Sequence, residues 1–295
     1  MPLTRKQFDL LDAVLERPGS KQRALQRMTG YSLGTVNKVL RELVDLELVR
    51  DGAVTAQGIL QMEPYRVRRA VFLAAGFGSR LVPVTLNTPK PLIRVNGKRI
   101  IDGLIDAVLA AGIEEIVIVR GYLAEQFDQL LYKYPMIKFI ENPAYNEANN
   151  ISSAMCARYL LSRAYVFEAD LLISNPMLIR KYHYSSNFLG IKKERSDDWC
   201  FTVKDGVITE QRVGGIHCYQ EVGISYWDES DGRKLAEHIA KAWEMPGGRE
   251  RYWDQIPFAV FPKEYQVEIR ECNEEDIVEI DTFRELKMID KTYDV

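Results

Sequence analysis

Residues 70–91 read AVFLAAGFGSRLVPVTLNTPKP: a short apolar run, two glycines one residue apart, and then two cations. No other segment constrains the fold and chemistry as tightly. A lone G-x-G is common in strand-to-helix turns and says little. Here the third glycine of a dinucleotide fingerprint is absent, and so is the Gly-Lys-Ser/Thr ending of a P-loop. In their place come Ser79 and Arg80, followed by Pro89-Lys90-Pro91. Glycines let backbone N–H groups approach phosphate oxygens. The guanidinium of Arg80 can fork onto outer phosphates, and Lys90, on a proline-stiffened segment, can reach an inner one as a point charge. Two cations on one loop suit a reaction in which one anion attacks another. The bland alternative is a structural turn carrying two surface charges. The chemical reading makes Leu73, Ala74, Ala75, Gly76, Phe77, Gly78 and Ser79 nucleotide contacts, with Arg80 and Lys90 as the catalytic cations.

The surroundings of this loop predict an α/β fold. Ala70–Ala74, Glu115–Arg120, Ile137–Glu141 and Ala164–Glu168 read as strands. Ile100–Ala111, Ala124–Tyr134 and Ile151–Leu161 read as the helices between them. That alternation predicts a doubly wound, mostly parallel sheet. After Ser185 the pattern turns strand-rich, with short strands at 188–191, 200–203, 207–209 and 222–226. Helices around 232–243 and 249–258, a strand at 266–270 and a final helix after Asp281 close the chain.

The residues before the loop have a different texture. Residues 1–69 hold 12 Lys/Arg against 8 Asp/Glu, net +4; the remainder holds 27 against 34, net −7. Phe8, Leu11, Val14 and Leu15 fall at helical spacing over Leu3–Glu16, which Arg17-Pro18-Gly19 breaks. Ser20 and Ser32 are placed to cap two further helices, the second with Val36, Val39, Leu40, Leu43 and Leu46 inward. Asp51-Gly52 between Leu48–Arg50 and Ala53–Thr55 signals a hairpin. This order is that of a small winged helix-turn-helix domain at 1–63, joined through a linker at 64–69 to a domain at 70–295. Ser32, Thr35, Asn37, Lys38 and Arg41 fall on the outer side of its third helix. Residues 20–55 can therefore serve DNA, or else oligomer contacts, a homodimer included.

A hydrophobic content of 46% with 27% charged residues is that of an ordinary globular chain. A net charge of −3 argues against a protein that coats nucleic acid along its whole length. None of the four cysteines forms a C-x-x-C pair, the start MPLTRKQF carries no apolar leader, and no apolar run approaches the roughly 20 residues of a membrane helix. The expectation is a cytoplasmic protein without membrane contact.

LAAGFGSRL followed by NTPKPL resembles the signature of the sugar-nucleotide and cytidylyl transferases of the nucleoside-triphosphate-transferase superfamily, and the likeness runs from about Ala70 to the C-terminus. YNEANNISS (145–153), Asp198-Trp199, GISYWD (223–228), Tyr252-Trp253-Asp254 and Glu279-Ile280-Asp281 make it most similar to the bacterial CTP:phosphocholine cytidylyltransferases. The resemblance implies CTP and phosphocholine as substrates and CDP-choline and pyrophosphate as products, on a nucleotide-diphospho-sugar-transferase fold.

Asp170 follows a strand that ends at Glu168, where ligands of open α/β sheets bind, and is placed for Mg²⁺. The resemblance adds Asp281 as a second metal ligand; alternatively that aspartate caps the following helix. Asn149, Asn150 and Ser153 can read a pyrimidine edge, although the residues alone do not separate cytosine from uracil, and Asn149 serves equally well as a helix cap. Aromatics beside acids, among them Trp199, Tyr226, Trp227, Trp253 and Asp254, can form a cage for a quaternary ammonium, or can be ordinary core. Lys192 can hold the acceptor phosphate or be a surface charge. Two alternatives remain open: a cytidylyl or uridylyl transferase acting on 2-aminoethylphosphonate or a polyol phosphate, and a DNA-binding regulator whose transferase domain senses a metabolite.

Overall fold

A computed structural model describes residues 2–294. It divides the chain into two compact units. The first runs through Arg66 and includes Tyr182–Tyr184; the second comprises Val67–Lys181 and the residues from Ser185 onward.

In the first unit, helix α1 (Arg5–Glu16) starts in a capping box, in which Thr4 and Gln7 satisfy each other's backbone N–H groups. Helices α2 (Gln22–Thr29) and α3 (Leu33–Asp45) follow, the latter capped by Ser32. Strands β1 (Val49–Arg50) and β2 (Ala53–Val54) form the expected hairpin. Helix α4 (Ala56–Met62), capped by Thr55, was not anticipated. Phe8, Leu11, Val14, Leu25, Val36, Val39 and Leu43 share one core. Leu46, expected inside, lies beyond the end of α3 and is exposed. The late tripeptide belongs here because Tyr184 stacks on Tyr65 at 5.5 Å and the His183 N–H donates to the Tyr65 carbonyl.

The second unit has the expected α/β form. Its elements are β3 (Arg69–Leu73), a small hairpin of β4 (Arg94–Val95) and β5 (Lys98–Arg99), α5 (Ile100–Ala110), β6 (Glu115–Arg120), β7 (Lys138–Glu141), α6 (Ile151–Ala157) and β8 (Ala164–Glu168). There follow β9 (Leu171–Ile173), β10 (Asn187–Lys204), β11 (Val207–Trp227), α7 (Glu229–Trp243), β12 (Glu268–Cys272), β13 (Ile277–Glu279) and α8 (Phe283–Ile289). A seven-stranded sheet has the order β10-β12-β11-β8-β3-β6-β7, in which β8, β3, β6 and β7 are mutually parallel. Of these, β8, β3 and β6 bury both faces, as their near-continuous apolar character requires, while the edge strand β7 exposes Lys138 and Glu141. Ala70, Phe72, Ile116 and Ile118 face one core with α5; Val71, Val117 and Val119 face the other with α6 and α7.

Three local expectations give way. The four short strands after Ser185 are two long ones, β10 and β11, paired antiparallel through bulges such as that between Ser196 and Trp199. Polar positions that read as breaks are the exposed face of a continuous ladder. The helix expected at 249–258 is a turn followed by a short helical segment at Ile256–Val260, because Pro246, Gly247, Gly248 and Pro257 interrupt regular hydrogen bonding. The segment 124–132 winds as a 3₁₀ helix. No helix among the described residues is long and apolar enough to cross a membrane.

Candidate active site

The carboxyl ends of β3 and β8 open into a cleft of about 540 Å³. After Leu73 the chain leaves the sheet, and the Ala74 N–H donates to the Val119 carbonyl. Gly78 adopts φ +69°, a conformation L side chains rarely take, and a Cβ there would lie 3.1 Å from Lys90 Cβ. Glycine therefore lets the first limb of the loop close onto the second. The Thr85 hydroxyl donates to the Gly78 carbonyl at 3.0 Å, and Tyr122 Oη donates to the carbonyls of Thr85 and Leu86.

Lys90 is buried, and its Nζ lies 2.6 Å from Asp170 Oδ2 and 3.2 Å from Asp281 Oδ1. Arg80 Nη2 lies 2.6 Å from the same Asp281 oxygen. Burial alone would lower the Lys90 pKa, but Asp170, Asp281 and Glu279 together hold it above its ordinary value. Asp281 arrives through the antiparallel pairing of β13 with β9, which sets Glu279 opposite Leu171.

Glu168, Asp170 and Glu279 bring carboxylate oxygens within 4.8 Å of one another. Burial first, then Asp170, pushes Glu168 up to about 8 and Glu279 up to about 10. Asp170 Oδ1 is buried without a hydrogen-bond partner. A hard oxygen donor set with an orphaned carboxylate oxygen fits a divalent cation.

Elsewhere in the cleft stand Asp198, Trp199, Glu221, Gly223, Tyr252 and Asp254. The Trp199 and Tyr252 rings meet edge to face at 5.8 Å. Gln211 Nε2 donates to Glu221 Oε2 at 2.8 Å and also to Asp254 Oδ2. Burial raises the pKa values of both acids. A Cβ at Gly223 would come within 2.6 Å of Glu168 Oε2, so glycine there lets the two groups of acids adjoin.

Two family models match: a nucleotidyl transferase family over residues 69–194 and the MarR family over residues 1–55. The 2-aminoethylphosphonate cytidylyltransferase of Lancefieldella rimae is 37% identical over 76% of this chain and 92% of its own length. The choline-phosphate cytidylyltransferase of Streptococcus pneumoniae is 31% identical over 76% of this chain and 97% of its own. The chain is a nucleotidyltransferase of the cytidylyltransferase family. A solved structure of the CTP:phosphocholine cytidylyltransferase from Streptococcus pneumoniae superposes with a TM-score of 0.71 at 30% identity, covering 77% of this chain and 99% of that one. The first unit of this cytidylyltransferase is a MarR-like winged helix-turn-helix.

The structure brings many of the sequence-derived positions together. Leu73, Ala74, Ala75, Gly76, Gly78, Ser79, Arg80, Lys90, Asn149, Asn150, Ser153, Asp170, Trp199, Asp254 and Asp281 all line the cleft. Phe77 does not; its ring packs edge to face on Tyr122 at 4.7 Å. Tyr226, Trp227 and Trp253 do not either, being 1, 0 and 2% exposed within the two cores. On β11 successive side chains alternate between faces of a sheet that is covered on both sides, and Trp253 packs against Trp227 at 6.0 Å. Of the aromatics expected to form a cage, only Trp199 lines the cleft, with Tyr252 beside it. Lys192 lines a separate shallow hollow with Lys193, Glu271 and Glu274.

The N-cap position of α6 falls to Asn150, not to the alternative Asn149; Asn149 Nδ2 donates to the Glu250 carbonyl, while Asn150 Oδ1 accepts from the Trp253 N–H. These amides tie the start of α6 to the segment carrying Tyr252 and Asp254. Sequence reading missed Glu221, Gln211, Asn142 and Glu279 as neighbours of the site. Glu279 sat inside a motif already noted, but the other three carry no local signal.

Proposed function

We propose that this cytidylyltransferase transfers the cytidylyl group of CTP to a small acceptor bearing a phosphate or phosphonate and an ammonium group, releasing pyrophosphate. One observation carries the reading. A single cleft holds the cations Arg80 and Lys90 beside the metal-type carboxylates, and also holds Trp199 and Tyr252 beside Asp198, Glu221 and Asp254. The first set matches a polyphosphate, and the second matches a cationic head group.

In this reading the Gly76–Ser79 backbone cradles the phosphates, while Arg80 and Lys90 neutralise charge that builds as an acceptor oxygen attacks the α-phosphorus in line. The P–O bond to the β-phosphate breaks as the new one forms. The nucleophile is already an anion, so no general base is required. Asp170 and Asp281, with Glu168 and Glu279 beside them, would hold Mg²⁺, which supplies Lewis-acid stabilisation of the reacting phosphate when bound. Lys90 shares oxygens of Asp170 and Asp281, so a cation entering there would free its ammonium for phosphate.

Phosphocholine is the acceptor favoured by the later sequence motifs. The second acceptor reading, 2-aminoethylphosphonate, is favoured by the cleft-lining carboxyl groups of Glu221 and Asp254. Their oxygens offer hydrogen-bond acceptors that a primary ammonium uses and a quaternary one cannot. Pyrophosphate release with CTP, Mg²⁺ and each acceptor, including a polyol phosphate, decides among them. No release with any acceptor, and no difference for Asp170→Ala, would sink the reading.

For the winged-helix unit we propose DNA as the partner. Lys38, Arg41 and Arg50 are exposed on α3 and the hairpin, and the MarR likeness covers both. Affinity for duplex DNA should fall steeply with salt; salt-independent binding, or none, overturns this. DNA binding without CTP turnover would instead favour a metabolite-sensing regulator.

A further inference from the structure

We propose that Asn142 is a positioning residue that sets the hydrogen-bond polarity of Ser153 and so makes the site select cytosine over uracil. The inference rests on the cytidylyl-transfer reading. Asn142 is 2% exposed, follows β7 and lines the cleft together with Ser152 and Ser153. Its amide orientation is fixed on one side, because Oδ1 accepts from the Ala144 N–H at 3.0 Å and from the Cys156 thiol. Nδ2 therefore faces the other way. It donates to Ser152 Oγ at 2.9 Å and to Ser153 Oγ at 3.0 Å, using both of its protons.

The two hydroxyls then differ. Ser152 passes its own proton to the Asn149 carbonyl at 2.7 Å and has none left to donate into the cleft. Ser153 accepts from Asn142, and its proton remains free to donate into the cleft. The chain Ala144–Asn142–Ser153 thus converts an ambivalent hydroxyl into a donor. Cytosine offers an acceptor at N3, whereas uracil carries an N–H there. To accept that N–H, the Ser153 hydroxyl would have to turn its proton away, and Asn142 offers it no acceptor. A buried polar group left unpaired in this way is what gives hydrogen-bonding sites their selectivity.

The test uses the full chain and compares CTP with UTP, first as nucleotide affinity by titration and then as kcat/KM with an acceptor that turns over. The wild type should prefer CTP. Ser153→Ala and Asn142→Ala should each lower the CTP-to-UTP ratio about tenfold. Ser153→Thr, which keeps the hydroxyl, should retain the ratio. Asn142→Asp should move the ratio furthest toward UTP, since an acceptor in place of the amide draws the Ser153 proton back. If Asn142→Asp does not fold, as its melting curve would show, Asn142→Ala decides together with the Ser153→Ala and Ser153→Thr pair. A wild type indifferent between CTP and UTP overturns the proposal, as do folded variants that weaken both nucleotides in equal proportion. Absence of pyrophosphate release with every acceptor sinks the transferase reading instead, while the affinity ratio still tests Asn142.

Discussion

The cationic loop and the aromatic corner face the same cleft but are held in place by different physics. The loop is one contiguous stretch closed on itself by Gly78, Thr85 and Tyr122, and it is pinned by ion pairs from Arg80 and Lys90 to Asp170 and Asp281. The corner is assembled from separate strands and a turn: Trp199 on β10, Glu221 on β11, Tyr252 and Asp254 on an irregular segment tethered by Asn149 and Asn150. Charge organised by backbone geometry dominates the first; shape and buried hydrogen bonding dominate the second. The loop should therefore govern the rate, and the corner should govern which acceptor binds.

Substitutions can break that division. Asp170→Ala, which removes a carboxylate with an orphaned oxygen, should lower kcat by about 10³-fold, and Lys90→Ala by about 10²-fold, with acceptor KM little changed. A selective rise in acceptor KM for either would contradict the assignment. In the corner, Trp199→Ala or Tyr252→Ala should raise acceptor KM about tenfold and leave CTP affinity alone. Trp227→Ala, in the core behind them, should instead cost about 3–5 kcal/mol of stability. A clean acceptor defect from Trp227→Ala, without loss of stability in denaturant unfolding, would put that ring back into recognition.

A smaller effect is expected in the pH dependence of stability. Glu168 is pushed up to about 8 by burial and by Asp170, so the folded state holds its proton more tightly than the unfolded chain does. That contribution to stability is complete below about pH 4.5, the ordinary value, and is lost as pH rises through about 8. Thermal melting should show this loss, Glu168→Gln should reduce it while the raised Glu279, Glu221 and Asp254 keep part of it, and Mg²⁺ should stabilise more at pH 8 than at pH 5. Mg²⁺ protection that weakens with rising pH would argue against these carboxylates as its site. Smallest of all is Lys192→Ala, expected to alter acceptor KM by no more than about twofold because Lys192 lines the separate hollow; a tenfold rise would return it to the acceptor site.

How much was legible follows from how each feature is encoded. The strands at Glu115–Arg120 and Ala164–Glu168 form at the expected bounds because apolar runs of that length have few other solutions. The winged-helix order was readable from apolar periodicity, the Ser32 cap and one hairpin dipeptide, although Lys21 and not Ser20 stands at the N-cap of α2. The long β10–β11 ladder was not, because bulges and an exposed polar face imitate loops. Nor was the split among the aromatics: Trp199 and Tyr252 sit in the cleft, whereas Trp227 and Trp253 beside the same kinds of neighbours are core.

The sequence by itself determined the reaction class, since a glycine turn followed by two spaced cations has a local meaning that survives without coordinates. It also determined the parallel sheet and the presence of a second, basic unit. Only the tertiary structure decided which residues share a site. The β9–β13 pairing carries Glu279 and Asp281 to Asp170 across more than a hundred residues of chain, and Asn142 meets Ser153 through a turn of the backbone between β7 and α6. Long-range pairing and side-chain polarity depend on which surfaces are brought together. Periodicity along a chain records which face of an element is buried, but not which partner buries it.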